Sequence, residues 1–388
     1  MAPIRILELR SVRGTGGGPE KTILLGAQRA DPARFAVTVC YMRDLRDRDF
    51  LMDGRARELG VDYVEIEERH SFDPSIWKAL RALVRERQID IVHAHEYKSN
   101  LLTWLLAKAE GIIPLSTVHG WFGRDTWRET LYYGADKRIL ARYPRLIAVS
   151  SALKAELVRT GSREDRVQVI PNGIDHVRFV RQPALRPEVR RELGLADTDV
   201  AIGAVGRLEH QKRFDLLLEA FATLRAAHPQ LRLLIAGDGG LKADLAERHA
   251  RLGLATSCVL LGHQADVPRL HHGFDVFVQS SDGEGSPNVV LEAMALETPL
   301  VATDVGGTRD MVEDGVDGFI VPPGDVPALA DAMARTVADL PAARARATHA
   351  RRRIETELSF EVRMNRVEAI YEALIASTRS GRQATEKT

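Results

Sequence analysis

Between Asn172 and Pro187 the chain reads "NGIDHVRFVRQPALRP", and what stands on either side of this stretch decides the fold. Upstream, short runs rich in Val, Ile and Leu predict strands at Ile4–Leu9, Phe35–Tyr41, Asp62–Ile66, Ile89–His93, Pro114–Val118, Leu146–Val149 and Val167–Ile170. They alternate with helix-period segments such as "SIWKALRALVRERQ" and "SALKAELVRTG". Continuous apolar strands separated by amphipathic helices are the pattern of βαβ units, in which both faces of a parallel sheet are covered. Downstream the pattern restarts, with strands expected at Val200–Val205, Leu231–Ala236, Val259–Leu261, Asp275–Gln279, Leu300–Ala302 and Gly318–Val321. Gln182–Pro187, rich in Pro and Arg, reads as the linker. The fold class is therefore α/β, with two similar sheets in tandem, and 388 residues are enough for two cores. The expected limits are 1–180 and 188–360. An amphipathic helix at about 360–377 packs back on the first domain in this reading, and a polar tail at 378–388 is disordered.

Bulk properties exclude several classes. Lys plus Arg and Asp plus Glu both total 54, so no general positive field favours nucleic acid. Cys40 and Cys258 stand far apart in strand-like runs, which is no disulfide framework and fits a reducing compartment. "MAPIRILELR" enters a strand directly, without an apolar stretch of signal length, and no run of about 18 apolar residues occurs. A cytoplasmic location is expected.

The chemistry gathers at the predicted carboxyl ends of strands, where open α/β sheets bind ligands. In "DGEGSPNVVLEAMA", Asp282 to Ala295, Ser286 is a favourable N-cap and Pro287 a favourable first helical residue. The helix N-terminus offers N–H groups to an anion. Glu284 precedes it, and Glu292 follows roughly 9 Å along the axis from Ser286. A pyrophosphate-linked ligand suits this layout, with hydroxyl groups on either side of the phosphates. In "AIGAVGRLEHQK" a strand ends at Gly206 and is followed by Arg207 and Lys212, two cations able to neutralise a diphosphate. "IAGDGG" supplies Gly237 at another strand end.

In the first half, Gly16, Gly17 and Gly18 follow a strand and precede a helix. Glu20 and Thr15 rule out a Walker A loop, and Pro19 rules out G-x-G-x-x-G. His119, in "STVHGWFG", sits at a strand's carboxyl end. His93 and His95 share a strand face, but no third metal ligand stands at a suitable spacing, so no metal is expected. His271 and His272 read as surface residues of a helix.

As an ordered set, "HAHE", "TVHG", "VSS", "IPNGID", "GRLEHQK", "AGDG", "EGSPNVVLEAMA" and "VATDVGG" resemble the retaining glycosyltransferases of family 4 over nearly the whole chain. The resemblance implies the GT-B fold: two facing Rossmann-like domains with the donor/acceptor cleft between them. It implies a nucleoside-diphosphate sugar donor, most simply UDP- or GDP-linked, with no cofactor and no required metal. By resemblance, Arg207 and Lys212 hold the diphosphate, Glu292 the ribose, and Glu284 the sugar hydroxyls. Backbone amides around Ser286, Pro287, Asn288 and Val289 assist, with Gly206 and Gly237 lining the site. Gly16, Gly17 and Gly18 approach the phosphate or the acceptor, and His119 contacts the donor sugar. The implied catalytic set is His119, Arg207, Lys212 and Glu284.

Two features depart from the family pattern. Gly285-Ser286-Pro287-Asn288 stands where many members carry Phe-Gly or Tyr-Gly, and Trp121-Phe122 suggests an unusual acceptor-side wall. The acceptor implied is a glycan or a lipid-linked glycan, within bacterial glycan, exopolysaccharide or glycolipid synthesis. Aromatic and basic residues interleave over 120–146, which suits peripheral contact with anionic lipid. The alternatives are a nucleotide-sugar epimerase of the same fold and a non-catalytic nucleotide-sugar-binding protein. A glycosidase would use two carboxylates but leaves the two cations unexplained.

Overall fold

The computed structural model describes residues 2–12, 14, 16–70, 73–121 and 126–385, the last six by backbone alone. The chain divides into two compact units, Met1–Ile170 with Met364–Thr388, and Pro171–Arg363.

The strands of the first unit are β1 (Ile4–Val12), β2 (Phe35–Asp44), β3 (Asp62–Glu68), β4 (Ile91–Ala94), β5 (Ile113–Val118), β6 (Arg145–Ala148) and β7 (Val167–Val169). They form one sheet in the order β3-β2-β1-β4-β5-β6-β7, and all neighbours run parallel. The second unit holds β8 (Val200–Val205), β9 (Leu231–Ala236), β10 (Cys258–Gly262), β11 (Val276–Gln279), β12 (Leu300–Thr303) and β13 (Phe319–Val321). Their order is β10-β9-β8-β11-β12-β13, again all parallel. Each sheet reverses its strand order once, between β1 and β4 and between β8 and β11. At such a switch point the loops leaving the two strands diverge to opposite faces and open a crevice.

Side-chain alternation explains why these strands read as unbroken apolar runs. In β11, Val276 and Val278 join Ile202, Leu217, Phe221 and Met333 on one face of the sheet. Phe277 between them joins Val290, Leu291 and Met294 on the other. Both faces are dry, so both sets of positions must be apolar. In the first unit, Ile6, Ile91, Leu115 and Ile147 are covered by Val367, Ile370, Tyr371 and Leu374 of the helix Phe360–Thr385.

Three expectations change. The unit boundary lies at Ile170/Pro171, and Gln182–Pro187 is not a free linker. Residues 171–187 pack on the second unit: Ile174 lies in its core, and Arg181 donates to the carbonyls of His271 (2.7 Å) and Leu296 (3.3 Å). Arg186 pairs with Asp275 at 2.6 Å. His271 and His272 are buried rather than on the surface. The short helix Val267–His271 turns His271 against Phe277 and Thr298, and burial, followed by the nearby Arg181 charge, pushes its imidazole down to about 3. Finally, the last helix continues to Thr385, beyond 377; residues 386–388 lie outside the described residues. Cys40 and Cys258 are both free and buried. Among the described residues no helix is long and apolar enough to cross a membrane.

Candidate functional site

In the second unit Gly206, Lys212 and Glu284 meet at the β8/β11 switch point. After β8 the chain passes Gly206 and Arg207 and makes a 3-10 turn at His210–Lys212. It then takes a left-handed step at Arg213 (φ 48°) before the helix Phe214–Arg225. A positive φ at a non-glycine residue costs about 1–3 kcal/mol and persists only where its surroundings hold it. Here Arg213 is clamped by Asp215 at 3.1 Å and Asp282 at 2.5 Å. The loop leaving β11 is stitched to the same turn. Asp282 N–H donates to the Gln211 carbonyl at 2.8 Å, and Ser280 Oγ donates to the Lys212 carbonyl at 2.8 Å. The Lys212 ammonium lies 2.6 Å from Glu284 Oε1, which also accepts from Ser281 Oγ at 2.7 Å. Lys212 and Glu284 are both mostly buried, so the pair is held in geometry rather than left to sample solvent.

Glycines bring the neighbouring loops close. A Cβ on Gly237 would stand 1.8 Å from the Gly206 carbonyl oxygen, and one on Gly206 would reach the Lys212 side chain at 3.4 Å. A Cβ on Gly306, in the loop after β12, would lie 1.7 Å from the Glu284 carbonyl oxygen. Gly307 N–H donates to Gly285 O at 2.9 Å. The loop carrying Glu284 is thus fixed from both neighbouring strand ends. Arg207 is exposed at the mouth of β8.

The helix after Glu284 spans Asn288–Ala295, with Pro287 as its N-cap residue and no side-chain cap. Ser286 is therefore not the cap. Its hydroxyl accepts from Asn172 N–H at 3.0 Å and its carbonyl accepts from Asn172 Nδ2 at 3.1 Å, so the Oγ is committed outside the helix. Asn172 Nδ2 also donates to Asn288 Oδ1 at 2.9 Å. The "NG" of the opening stretch thus serves as a buckle for the "SPN" loop. Pro287 is buried, while Val289 and Glu292 are half-buried on the same helix. Glu292 stands about 7–8 Å along the axis from Pro287 at 1.5 Å per residue.

In the first unit the corresponding crevice is at β1/β4, with β5 next to it. Gly16 takes φ 69°, and a Cβ there would meet Met52 Sδ at 2.9 Å. Gly17 N–H donates to Glu20 Oε2 at 2.7 Å, and Gly18 opens the helix Gly18–Arg29. Burial disfavours the Glu20 charge, but Arg10 at 2.5 Å and the Gly17 amide outweigh it and hold the carboxyl below its ordinary range. Arg10 in turn donates to the His95 carbonyl at 2.7 Å. His119 follows β5, half-buried, with Nε2 3.3 Å from His95 Nδ1.

His93 and His95 do have a third group beside them. Glu8, from β1, brings its carboxylate together with both rings, all within 4.8 Å. The spacing along the chain conceals this because β1 and β4 are far apart in sequence and adjacent in the sheet. Hydrogen bonds occupy the ligating atoms of the cluster. Glu8 Oε2 faces His95 Nε2 at 2.5 Å and Glu8 Oε1 accepts from Tyr371 OH at 2.9 Å. His93 lies between Tyr371 OH (2.7 Å) and Thr117 Oγ1 (2.8 Å). Trp121 also differs from expectation. It is buried, with its indole N–H donating to Asp136 at 2.9 Å, so it does not line an open wall. Phe122, Arg124 and Asp125 lie outside the described residues.

Residues 199–339 match the family described as "Glycosyl transferases group 1", and residues 16–178 match "Glycosyltransferase Family 4". The lipopolysaccharide core biosynthesis mannosyltransferase LpsB of Rhizobium meliloti (strain 1021) is 30% identical over 62% of this chain and 69% of its own length. The UDP-Gal:alpha-D-GlcNAc-diphosphoundecaprenol alpha-1,3-galactosyltransferase of Escherichia coli is 26% identical over 82% of this chain and 86% of its own. Among solved structures, Anabaena HepE in complex with UDP superposes with a TM-score of 0.84 at 21% identity, over 95% of this chain and 100% of that one. HepE with UDP-glucose gives 0.83. The chain belongs to the group 1, family 4 glycosyltransferases, with the GT-B fold, and is an enzyme that moves a sugar from a nucleotide-sugar donor.

Proposed function

We propose that this enzyme transfers a hexose, with retention of anomeric configuration, from a UDP- or GDP-linked sugar to a hydroxyl of a glycan or lipid-linked acceptor. Bacterial glycan, exopolysaccharide or glycolipid synthesis is the setting, as it is for the mannosyl- and galactosyltransferases named above. The observation that carries the reading is the Lys212–Glu284 pair, 2.6 Å apart at the β8/β11 switch point. One cation for phosphate and one carboxylate for sugar hydroxyls stand in contact, with Arg207 at the same mouth. Arg207 and Lys212 neutralise the departing nucleoside diphosphate, and no divalent metal is needed for that. Gly206 and Gly237 let the phosphates approach, the amides around Ser286–Val289 assist, and Glu292 binds the ribose. His119 serves the sugar, and Gly16, Gly17 and Gly18 the phosphate or acceptor. The phosphate oxygen accepts the acceptor's proton, so no separate protein base is assigned.

Glu292→Ala is expected to weaken donor binding by about 1.5–3 kcal/mol, the worth of hydrogen bonds to a charged group. That is a ten- to hundredfold rise in Kd by calorimetry, and an unchanged Kd would remove Glu292 from the donor site. Thermal-shift screening against nucleotide sugars identifies the donor, and proton NMR of the product reads its anomeric configuration. Free sugar or epimer formed without an acceptor would replace the transferase reading with an epimerase.

Peripheral contact with anionic lipid at the inner face of a membrane is part of the proposal. Trp127 is 73% exposed and Leu131 59%, on the helix Trp127–Leu140. Leu101 and Leu105, also exposed, lie on the helix Tyr97–Glu110, joined to it by the stacked rings of Tyr97 and Tyr132. Arg128 and Arg138 flank this apolar face. Lys137 is spent on Glu156 and on the Trp121 ring, and Asp136 is buried, so neither adds to the surface charge. Flotation with anionic vesicles at low salt, lost in Trp127→Ala with Arg128→Glu and Arg138→Glu, is the expected result. A protein left in the soluble fraction with both anionic and neutral vesicles ends the membrane reading.

A further inference from the structure

The loop that carries Glu284 runs into a helix that begins without a cap. No side chain bonds the N-terminus of Asn288–Ala295. The first backbone bonds run from Val290 and Leu291 N–H to the Pro287 carbonyl, at 3.1 and 3.4 Å. Pro287 has no N–H, so Asn288 and Val289 hold the open N–H groups among the described residues. Two side chains stand close enough in sequence to close them. Ser286 has the composition of a cap, and an asparagine at a helix start bonds its own or a neighbouring N–H. Both are turned away by one residue, Asn172. Its backbone N–H donates to Ser286 Oγ at 3.0 Å, and that hydroxyl donates to Met311 Sδ at 3.5 Å. Its Nδ2 donates to the Ser286 carbonyl at 3.1 Å and to Asn288 Oδ1 at 2.9 Å. A carbonyl can only accept, which fixes the end of the Asn172 amide that faces it, and hence the end of the Asn288 amide that faces Asn172.

Asn172 is a firm post for this. A Cβ on Gly173 would stand 2.6 Å from the Ser359 carbonyl oxygen. Ile174 N–H donates to the Leu358 carbonyl at 3.1 Å, and the Ile174 carbonyl accepts from Phe360 N–H at 2.9 Å. Asn172 is 5% exposed, and its Oδ1 is buried with no hydrogen-bond partner. An unpaired buried acceptor opposes folding, so stability alone does not account for an asparagine here. We propose that Asn172 is a positioning residue: by drawing Ser286 and Asn288 away from the helix, it keeps the N–H groups of Asn288 and Val289 open for phosphate oxygens of the donor. This rests on the reading of the amides around Ser286–Val289 as part of the donor site. Lys212 lies on Glu284, two residues before Ser286, so the cation and the open amides border one loop.

Calorimetry of the whole enzyme with UDP and with GDP tests it. In Asn172→Ala the released Asn288 side chain turns onto the open amides. The Kd of the diphosphate that the wild type binds is expected to rise about tenfold, the worth of one hydrogen bond to a charged group. Adding Asn288→Ala removes the competing side chain, so the double variant should bind more tightly than Asn172→Ala. An unchanged Kd in Asn172→Ala beside a lowered Tm marks a merely structural role and overturns the proposal. A double variant that binds no better than the single one does the same. Hydrogen exchange on the wild type needs no variant: the N–H groups of Asn288 and Val289 should exchange quickly without the diphosphate and slowly with it. Slow exchange without it overturns the proposal. If the wild type binds neither diphosphate, the donor reading falls and takes this proposal with it; if it binds one and the variants fail, only the role of Asn172 falls.

Discussion

Lys212→Ala is expected to lower kcat by about 10²–10³, the loss that follows removal of one preorganised donor at a developing negative charge. The leaving group is a nucleoside diphosphate, and its departure needs positive charge in place before the bond breaks. Lys212 is held for that task. Its carbonyl accepts from Ser280 Oγ, its side chain runs past Gly206, and its ammonium lies on Glu284. Arg207→Ala should cost less than Lys212→Ala, because Arg207 is exposed whereas the Lys212 ammonium is held against Glu284. The two losses should not add, since both cations act on the same phosphates. Both variants should keep the wild-type circular dichroism. Chelation by EDTA should leave turnover unchanged; complete loss restored by manganese would assign the charge neutralisation to a metal.

Gly306→Ala is expected to lower transfer by about 10² through geometry alone. The added methyl would sit 1.7 Å from the carbonyl oxygen of Glu284 and 2.6 Å from its carbon, at φ 52°. Backbone cannot yield as the end of a flexible side chain can. The Glu284–Gly285 segment must therefore move, breaking the Gly307 N–H bond to Gly285 O. Displacing the Glu284 carboxylate by an ångström is enough to cost about 10² in rate. Overpacking of this kind costs about 1–3 kcal/mol of stability, visible as a lowered Tm. Gly315→Ala is the control. It also has positive φ, 78°, but nothing lies within 4 Å of its Cβ position. It should lose about 1–2 kcal/mol from the left-handed backbone and keep full activity. A fully active Gly306→Ala enzyme would show that the position of Glu284 does not matter to transfer.

The sheets were legible because they are buried on both faces. Each strand from β1 to β13 corresponds to an apolar run in the sequence, and the runs need no knowledge of their partners to be recognised. The switch-point residues were legible for a related reason: Gly206, Arg207 and Gly237 follow strand ends directly, and Glu284 stands in the loop after β11. What stayed hidden depends on pairs far apart in the chain. Ser286 has the composition of a cap, but Asn172, 114 residues away, takes its hydroxyl. Glu8 lies 87 residues from His95, and no local pattern announces that pair. One signal was available: in "RILELRSV" the carboxylate of Glu8 stands between Leu7 and Leu9, and a charge inside a sheet covered on both faces requires a partner. Trp121 and His271 were misread because exposure is set by how a short loop or helix tilts onto its neighbours, which composition does not encode.

The last helix has a consequence for how the protein is made. From Met364 onward it belongs to the first unit, where Val367, Ile370, Tyr371 and Leu374 cover Ile6, Phe35, Ile91 and Leu115. The ribosome delivers β1 first and this cover last. The unit begun earliest is therefore finished latest, after the whole of Pro171–Arg363 has been synthesised. Throughout that interval the nascent sheet holds an uncovered apolar face, and Glu8 and His93 wait for the hydroxyl of Tyr371. Domain-by-domain folding during synthesis, the usual order for long chains, is closed to the N-terminal unit, and a stop codon shortly before Met364 would strip a wall from the half of the molecule translated first.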